Sequence, residues 1–405
     1  MAVISLIKKG VTIMANVTAL KTKRLVTPHA VIPDGIVVFS DGRITDVGTQ
    51  STISPPPGAE IIDCGDNIVA PGLLDIHCHG CVHGRANDSI EANYTLAEFI
   101  LRGGTTSFTP TVNSAAGTGY VVAARRNQQE EGFRGADIVG VHLEGPFVEP
   151  KRVPGFDDRD HLIPQPDMAM LEEILEAGEG QIKMMGLGIL LPGMAEVVRR
   201  LRAEGIVATI AHTKATAEQF AEAVQQGFNH GTHLYNVMTG LHHRRPGVLG
   251  GLLTYDGMTT EIICDGMHVH PWAIDIAIRC KGPDRLAIIT DLSMAGIQDG
   301  VYERENGTKI EVKDGIARRY GTTPDMDNTM AGSVFMQNVG VRTVIGLGYP
   351  MQTAFRMATL TPARIIGVDR YKGSLEVGKD ADIIIVDDDI NVKAAYVNGT
   401  KLYSA

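Results

Sequence analysis

The residues of this chain best suited to chemistry begin at His77-Cys78-His79. This triplet closes the apolar run Ile68 to Ile76 and precedes Gly80. The run reads as a short buried strand, whose successive side chains point to opposite faces. His77 and His79 therefore share one face and Cys78 takes the other. Two imidazoles on one face at a strand's C-terminal end can grip one metal ion. Polar residues of the same kind recur where later apolar runs end: His142 and Glu144 before Gly145-Pro146, then His212, His233, Asp265 with His268, and Asp291. The set His77, His79, Glu144, His212, His233 and Asp291 combines imidazole with carboxylate and contains no cysteine cluster. That donor set suits Zn, Fe or Mn at a catalytic rather than a structural site. A divalent ion there makes water acidic enough to attack near neutral pH. Asp291 is placed to take the water's proton and return it to a leaving group. Glu144 could bridge two ions. A single His at a strand end is more often a satisfied polar residue than a ligand; the convergence of several such ends carries the reading of metal-assisted hydrolysis.

These residues converge only if the strands carrying them are neighbours. Apolar strand-like runs recur at 68–76, 105–111, 138–145, 182–190, 206–212, 229–235, 260–265 and 286–292, with helix-like segments between most of them. Thr216 to Gln226 is one such segment: Thr216 and Gln219 have capping-box spacing, and Phe220 and Val224 lie one turn apart. Eight βα-like units predict a (β/α)8 barrel of the TIM type, whose active residues sit at the C-terminal ends of the strands. The first 65 or so residues read as strands and turns, with a hairpin from Gly35 to Val47 turning at Ser40-Asp41-Gly42-Arg43. The tail is similar: strand-like at Ala381 to Val386, turning at Asp387-Asp388-Asp389, and strand-like again at Ala394 to Val397. The expected organisation is a small β-sandwich domain built from residues 1–67 and 369–405, flanking a barrel over residues 68–368.

Composition bounds the function. The chain has 405 residues, 44% hydrophobic and 21% charged, enough for a large core. Its formal net charge of −10, without a basic tract, argues against nucleic acid or an anionic membrane as partner. No apolar stretch approaches the roughly 20 residues that span a bilayer, and the apolar patch before Lys8 and Lys9 has the wrong order for a secretory signal. Met14 is an alternative start to Met1. Five scattered cysteines (64, 78, 81, 264 and 280) suggest free thiols in a reducing cytoplasm. Cys81, near the histidines, reads as a small buried side chain rather than a ligand.

Several stretches resemble the N-acetylglucosamine-6-phosphate deacetylase family of the amidohydrolase superfamily: Pro71 to Gly80, His142 to Phe147, Ala211 to Thr213, Thr232 to Asn236, Asp265 to His268, Thr290-Asp291, Ala331 to Ser333 and Gly378 to Asp382. They cover nearly the whole chain in the family's order. The resemblance implies removal of the acetyl group from an N-acetylhexosamine 6-phosphate, most simply N-acetylglucosamine 6-phosphate, using one or two divalent ions, zinc first among them. It implies that Glu144, His212 and His233 hold the principal ion and that His77 and His79 allow a second. Asp291 would be general base, then general acid. Gly155, Asn236, Val237, Arg244 and His268 would contact the sugar phosphate, and Met330, Ala331 and Gly332 would line the sugar pocket. Arg244 would reach a neighbouring subunit's site, implying a homodimer. Each has a plainer rival: His268 pairing only with Asp265, Arg244 a solvated charge, His142 facing the barrel as a partner of the ligands.

The match is incomplete. Family members carry a His in the loop after the Glu motif that is thought to polarise the amide carbonyl, and Phe156 stands there instead. Losing one such donor typically costs ~3 kcal/mol of transition-state stabilisation. Either a second metal takes over that role, or His161 substitutes, or the substrate differs. The stretch Tyr320 to Asn328 is longer than usual, and Leu292-Ser293-Met294 replaces an alanine-rich segment. Two other readings follow: an amidohydrolase acting on a different acylated amine, or a sugar-phosphate-binding protein without catalysis. Hydantoinase-like members bridge their metals with a carbamylated lysine on the fourth strand, whereas Lys183 lies near the start of that run rather than its end.

Overall fold

The computed structural model describes residues 17–82, 84–131, 134–149, 165–293, 299–303, 309–320 and 330–405. Met1, Met14, Gly155, Phe156, His161, Met294 and positions 321–329 lie outside the described residues.

A parallel barrel occupies the middle of the chain. Its strand positions are Leu73–Cys78, Thr105–Val112, the interrupted pair Asp137–Ile138 and Val141–Glu144, Ile182–Leu187, Val207–Ile210, His230–Gly231, Thr259–Ile263 and Leu286–Ile289. Each pairs in parallel with the next. The last returns beside the first through the parallel bridge Cys78–Leu292 and the hydrogen bond from Asp291 N to His77 O at 3.0 Å. This seam has no continuous ladder, so side chains fasten it. Buried Gln337 donates to Leu74 O at 2.8 Å and Ile288 O at 3.1 Å and accepts from Thr105 Oγ1 at 3.1 Å. Asp75 accepts from the hydroxyl of Thr290.

Helices cover the outside, and their ends follow local chemistry. The helix Ala217–Gln226 starts at Thr216 with a complete capping box to Gln219 and stops at Gly227 (φ 107°). Ser89 caps Ile90–Ile100, and Asp167 caps Met168–Gly178. The expected helical segment at Thr216 is thus present, one residue shorter than its sequence span. A three-stranded antiparallel sheet (Gly300–Glu303, Lys309–Lys313, Ile316–Tyr320) follows the eighth strand. The sequence reading missed it: Lys309–Lys313 alternates polar and apolar residues, but each of the three strands is only four or five residues long.

The apolar run at 68–76 does not form one strand. Ile68–Pro71 pairs with Leu25 and with Ile383–Val386 in the terminal sheet, and only Leu73–Cys78 enters the barrel. Gly72 makes the crossing: a Cβ there would meet Thr106 Oγ1 at 2.0 Å, so no larger residue fits the close approach. The terminal sheet joins both ends of the chain, in the order Thr400–Ser404, Val392–Val397, Ile383–Val386, Ile68–Pro71, Thr18–Val26, Val31–Ser40, Arg43–Thr49. One edge of Thr18–Val26 is divided between Glu60–Asp63 and Ile68–Pro71. That fork lets the sheet enclose its own core of Leu20, Val37, Phe39, Val69, Ile383 and Tyr396. The hairpin at Asp41 (φ 49°) and Gly42 (φ 77°) has the expected turn. Asn398-Gly399 forms a second such turn and leads into a third tail strand that the sequence reading missed.

Lys372 bolts the terminal sheet to the barrel. It is 1% exposed, and its Nζ lies 2.9 Å from Asp137, Asp380 and Asp382 alike. Burial opposes its charge, but the three carboxylates outweigh that and raise its pKa. Lys372→Met should leave buried Asp380 and Asp382, and partly exposed Asp137, without their shared cation and cost about 3–5 kcal/mol, read as a lower urea midpoint.

Candidate active site

The functional side chains come from strand ends because the backbone turns there. Glu144 ends its strand, His77 is the penultimate residue of the first, and His79 lies one residue past that strand's end. His212, His233 and Asp291 each lie two residues beyond their strands, and all three have positive φ: 45°, 29° and 49°. Non-glycine residues reach this region at a cost of order 1–3 kcal/mol each. In all three cases the turn accompanies a side chain aimed into the barrel mouth.

The side chains meet. His212 Nε2 and His233 Nε2 are 3.0 Å apart and lie 2.8 and 3.1 Å from Glu144 Oε1. His77 Nε2 and His79 Nε2 are 3.2 Å apart, and His79 Nε2 is 3.3 Å from Glu144 Oε2. Asp291 Oδ1 lies 3.3 Å from His79 Nε2 and 3.6 Å from His77 Nε2. Two sets of potential ligands result, His77–His79–Glu144 and Glu144–His212–His233, sharing one carboxylate. Within each histidine pair two imidazole nitrogens face each other at hydrogen-bond distance, so at most one can carry a proton there. A divalent cation satisfies both lone pairs and the carboxylate together. The residues present therefore fit a metal, and the donor set fits Zn, Fe or Mn.

The electrostatics agree. Burial works against charge on Glu144, but His212 and the hydrogen bonds from His212, His233 and His79 outweigh it and hold its pKa well below the usual carboxylate range. Burial likewise opposes ionisation of Asp291, yet His79 and His77 hold it at about 2, so it is ionised at neutral pH. His77 is buried, but Glu261, Asp291 and Glu144 more than compensate and raise its pKa to about 10 without metal. Burial raises Asp75 to about 7, its carboxyl held by Thr290 and by the His77 N–H at 3.1 Å.

Sequence reasoning missed two supports. Glu261, fully buried on the seventh strand, lies 2.6 Å from His77 Nδ1. Glu149 accepts from Thr213 Oγ1 at 2.6 Å and Lys214 N at 3.1 Å, fixing the turn after His212. The only signal for Glu261 was an acid inside an apolar strand, where an unpaired charge is costly. His142 is not among the ligands: its ring packs edge-on to His77 with centroids 4.5 Å apart, and burial drives its pKa well below 6.5. Cys78 and Cys81 are buried in the apolar core and take no part in the ligand sets. Lys183 sits on the second residue of its strand, far from the carboxylate-bearing end.

The expected substrate residues are more dispersed. Asn236 and Val237 lie three and four residues after His233, in a loop with Tyr235 and Val237 at φ 77° and 51°. Met330, Ala331 and Gly332 run beside Asp291: Ser333 N donates to Asp291 O at 3.0 Å, and Ser293 Oγ donates to Ala331 O at 2.8 Å. His268 pairs with Asp265 at 2.6 Å, which orients its ring. Arg244 lies on an exposed turn closed between His242 and Arg245 and contacts His243, with no carboxylate partner among the described residues. Gly155 is outside the described residues.

Comparison with known proteins agrees with this fold. The amidohydrolase family profile matches residues 68–402. The chain is 35% identical to N-acetylglucosamine-6-phosphate deacetylase of Bacillus subtilis, over 94% of this chain and 95% of that one. It is 29% identical to N-acetylgalactosamine-6-phosphate deacetylase of Escherichia coli O157:H7, over 94% and 98%. Its fold matches the crystal structure of N-acetylglucosamine-6-phosphate deacetylase from Pasteurella multocida with a TM-score of 0.85 and 26% identity, covering 96% of this chain and 100% of that one.

The raised pKa of His77 sets a pH dependence. Its charge contributes stability to the metal-stripped protein fully below the ordinary value of 6.5 and loses it as pH rises through about 10. Chelated protein should therefore lose thermal stability above pH 6.5, and the stabilisation by added Zn should grow over the same range because fewer protons must be displaced. Unfolding curves with and without chelator check both slopes.

Proposed function

Because the chain belongs to the amidohydrolase family, we propose that it removes the acetyl group from an N-acetylhexosamine 6-phosphate, giving the amino sugar phosphate and acetate. The observation carrying this reading is the Glu144 carboxylate set between two imidazole pairs, with ionised Asp291 beside one of them. The names of the deacetylase relatives support the sugar phosphate. Glu144, His212 and His233 would hold the principal ion, and His77 with His79 a second; zinc suits these donors best. When bound, such an ion acidifies water and polarises an amide carbonyl. Asp291 then takes the attacking water's proton and delivers it to the departing amine nitrogen. Ser333 N and the turn at Gly332 hold the Asp291 backbone during that transfer.

Substrate recognition falls to the loops. Asn236, Val237 and His268 flank the metal ligands, and Met330 to Gly332 lie against Asp291. Arg244, exposed and free of carboxylates among the described residues, suits phosphate oxygens through its planar guanidinium. Exposed Leu241 and Val237 lie in the same loop, and exposed Trp272 and Ile276 lie on the helix Pro271–Lys281. Tyr235 Oη ties the loop to that helix by donating to Ala273 O at 2.8 Å. This apolar surface supports a homodimer in which Arg244 serves the neighbouring site. A cytoplasmic enzyme accords with sparse cysteines and with the absence of any helix long and apolar enough to cross a membrane among the described residues. The domain division 1–67, 68–368 and 369–405 is part of this proposal; the pairing of Ile68–Pro71 with Ile383–Val386 supports moving that segment to the terminal sheet.

Acetate release from N-acetylglucosamine 6-phosphate and N-acetylgalactosamine 6-phosphate tests the reading; none from either, at any metal loading, would refute it. Asp291→Asn should keep its metal and lose turnover by about 10²–10⁴-fold. Arg244→Ala should raise KM for the phosphorylated substrate and leave hydrolysis of the unphosphorylated sugar unchanged.

A further inference from the structure

Glu261 is fully buried, lies 2.6 Å from a ring nitrogen of His77, and belongs to neither ligand set. We infer that Glu261 is the positioning residue of the metal centre, fixing His77 in the one tautomer that can bind an ion and anchoring the turn at His233. This rests on the metal reading above and deepens it.

The argument is one of donors and acceptors. A carboxylate only accepts hydrogen bonds. Glu261 Oε1 lies 2.6 Å from His77 Nδ1 and 3.3 Å from His233 N, and Oε2 lies 3.3 Å from His230 Nε2. His77 Nδ1 must therefore carry the proton in the metal-loaded state, leaving the Nε2 lone pair directed at His79 and Glu144. Without that acceptor a buried imidazole is free to protonate Nε2 instead, and then it cannot ligate. The bond to His233 N acts on the other ligand set, at the residue whose φ of 29° is otherwise unfavourable. The third contact holds the carboxylate itself. His230 donates from Nε2, so its Nδ1 accepts from Thr259 Oγ1 at 2.7 Å. His230 and Glu261 are fully buried, and Thr259 is partly buried at the start of the seventh strand. One carboxylate thus touches one ligand from each set, through a side chain in one case and a backbone N–H in the other. Removal of such a partner typically weakens metal binding about 10–100-fold.

The test reads metal rather than turnover. Zinc stoichiometry and affinity are measured by titration calorimetry and elemental analysis on wild type, Glu261→Gln and Glu261→Leu. Gln keeps an acceptor for His77 and should retain the wild-type stoichiometry. Leu fills similar space without an acceptor and should bind zinc roughly 10–100-fold more weakly, most strongly at the ion held by His77 and His79. Wild-type affinity in Glu261→Leu would overturn the inference, because a space-filling role would be preserved there. If Glu261→Leu fails to fold, ¹⁵N-histidine-labelled, zinc-loaded wild type decides: a proton on His77 Nδ1 supports the inference and a proton on Nε2 overturns it. Wild type that binds no zinc would instead defeat the metal reading itself, and the inference with it.

Discussion

The whole arrangement depends on four imidazoles and one carboxylate converging where few protons can be accommodated. Glu144 faces His212 and His233 with one oxygen and His79 with the other. Such a cluster is unfavourable in a barrel mouth by itself, because desolvation penalises charge and facing lone pairs repel. A bound cation reverses that balance, which is why the donor set reads as a metal centre rather than as an accidental polar cluster. The backbone shows the same tension. His212 and His233 of the cluster, and Asp291 beside it, sit at positive φ, a conformation that persists only where surrounding structure determines it.

That determination comes from the barrel seam and from buried polar partners. The first and eighth strands carry His77 and Asp291, and they are joined by Gln337, Asp75 and Thr290 rather than by a full ladder. A seam built from side chains allows both strand ends to bend inward without breaking a run of backbone hydrogen bonds. Behind it, Lys372 clamps the terminal sheet to the base of the barrel. The catalytic mouth and the clamp occupy opposite ends of the strands, so the rigid end supports the strained one. This separation is general for the barrel architecture.

On the proposed reading, chemistry and specificity are likewise separated in space. The proposed ligand residues sit at strand ends, with His77, His212 and His233 buried and His79 and Glu144 partly exposed. Asn236, Val237 and Arg244 lie on one loop after the sixth strand, while the segment Met330 to Gly332 follows an antiparallel insert. Relatives acting on hexosamine phosphates of different configuration are consistent with such a division, since loops can change without disturbing the metal centre.

Much of this was legible in the residues alone. Strand periodicity places His77 and His79 on one face, and the recurrence of His, Glu and Asp after apolar runs implies a barrel with a polar mouth; both are local patterns, set by chain geometry over a few residues. The capping box at Thr216 and the turn at Asp41-Gly42 are of the same kind. Other features had no local signature. The apolar run at 68–76 looks continuous, yet tertiary packing splits it at Gly72, because two sheets compete for its halves. Glu261 reads as an isolated acid in a strand until folding sets it against His77, 184 positions away in the chain. Residue types and spacing thus determined which groups could act, while only the folded barrel decided which of them meet, since hydrogen bonds and shared cations depend on distances of about 3 Å that sequence separation does not encode.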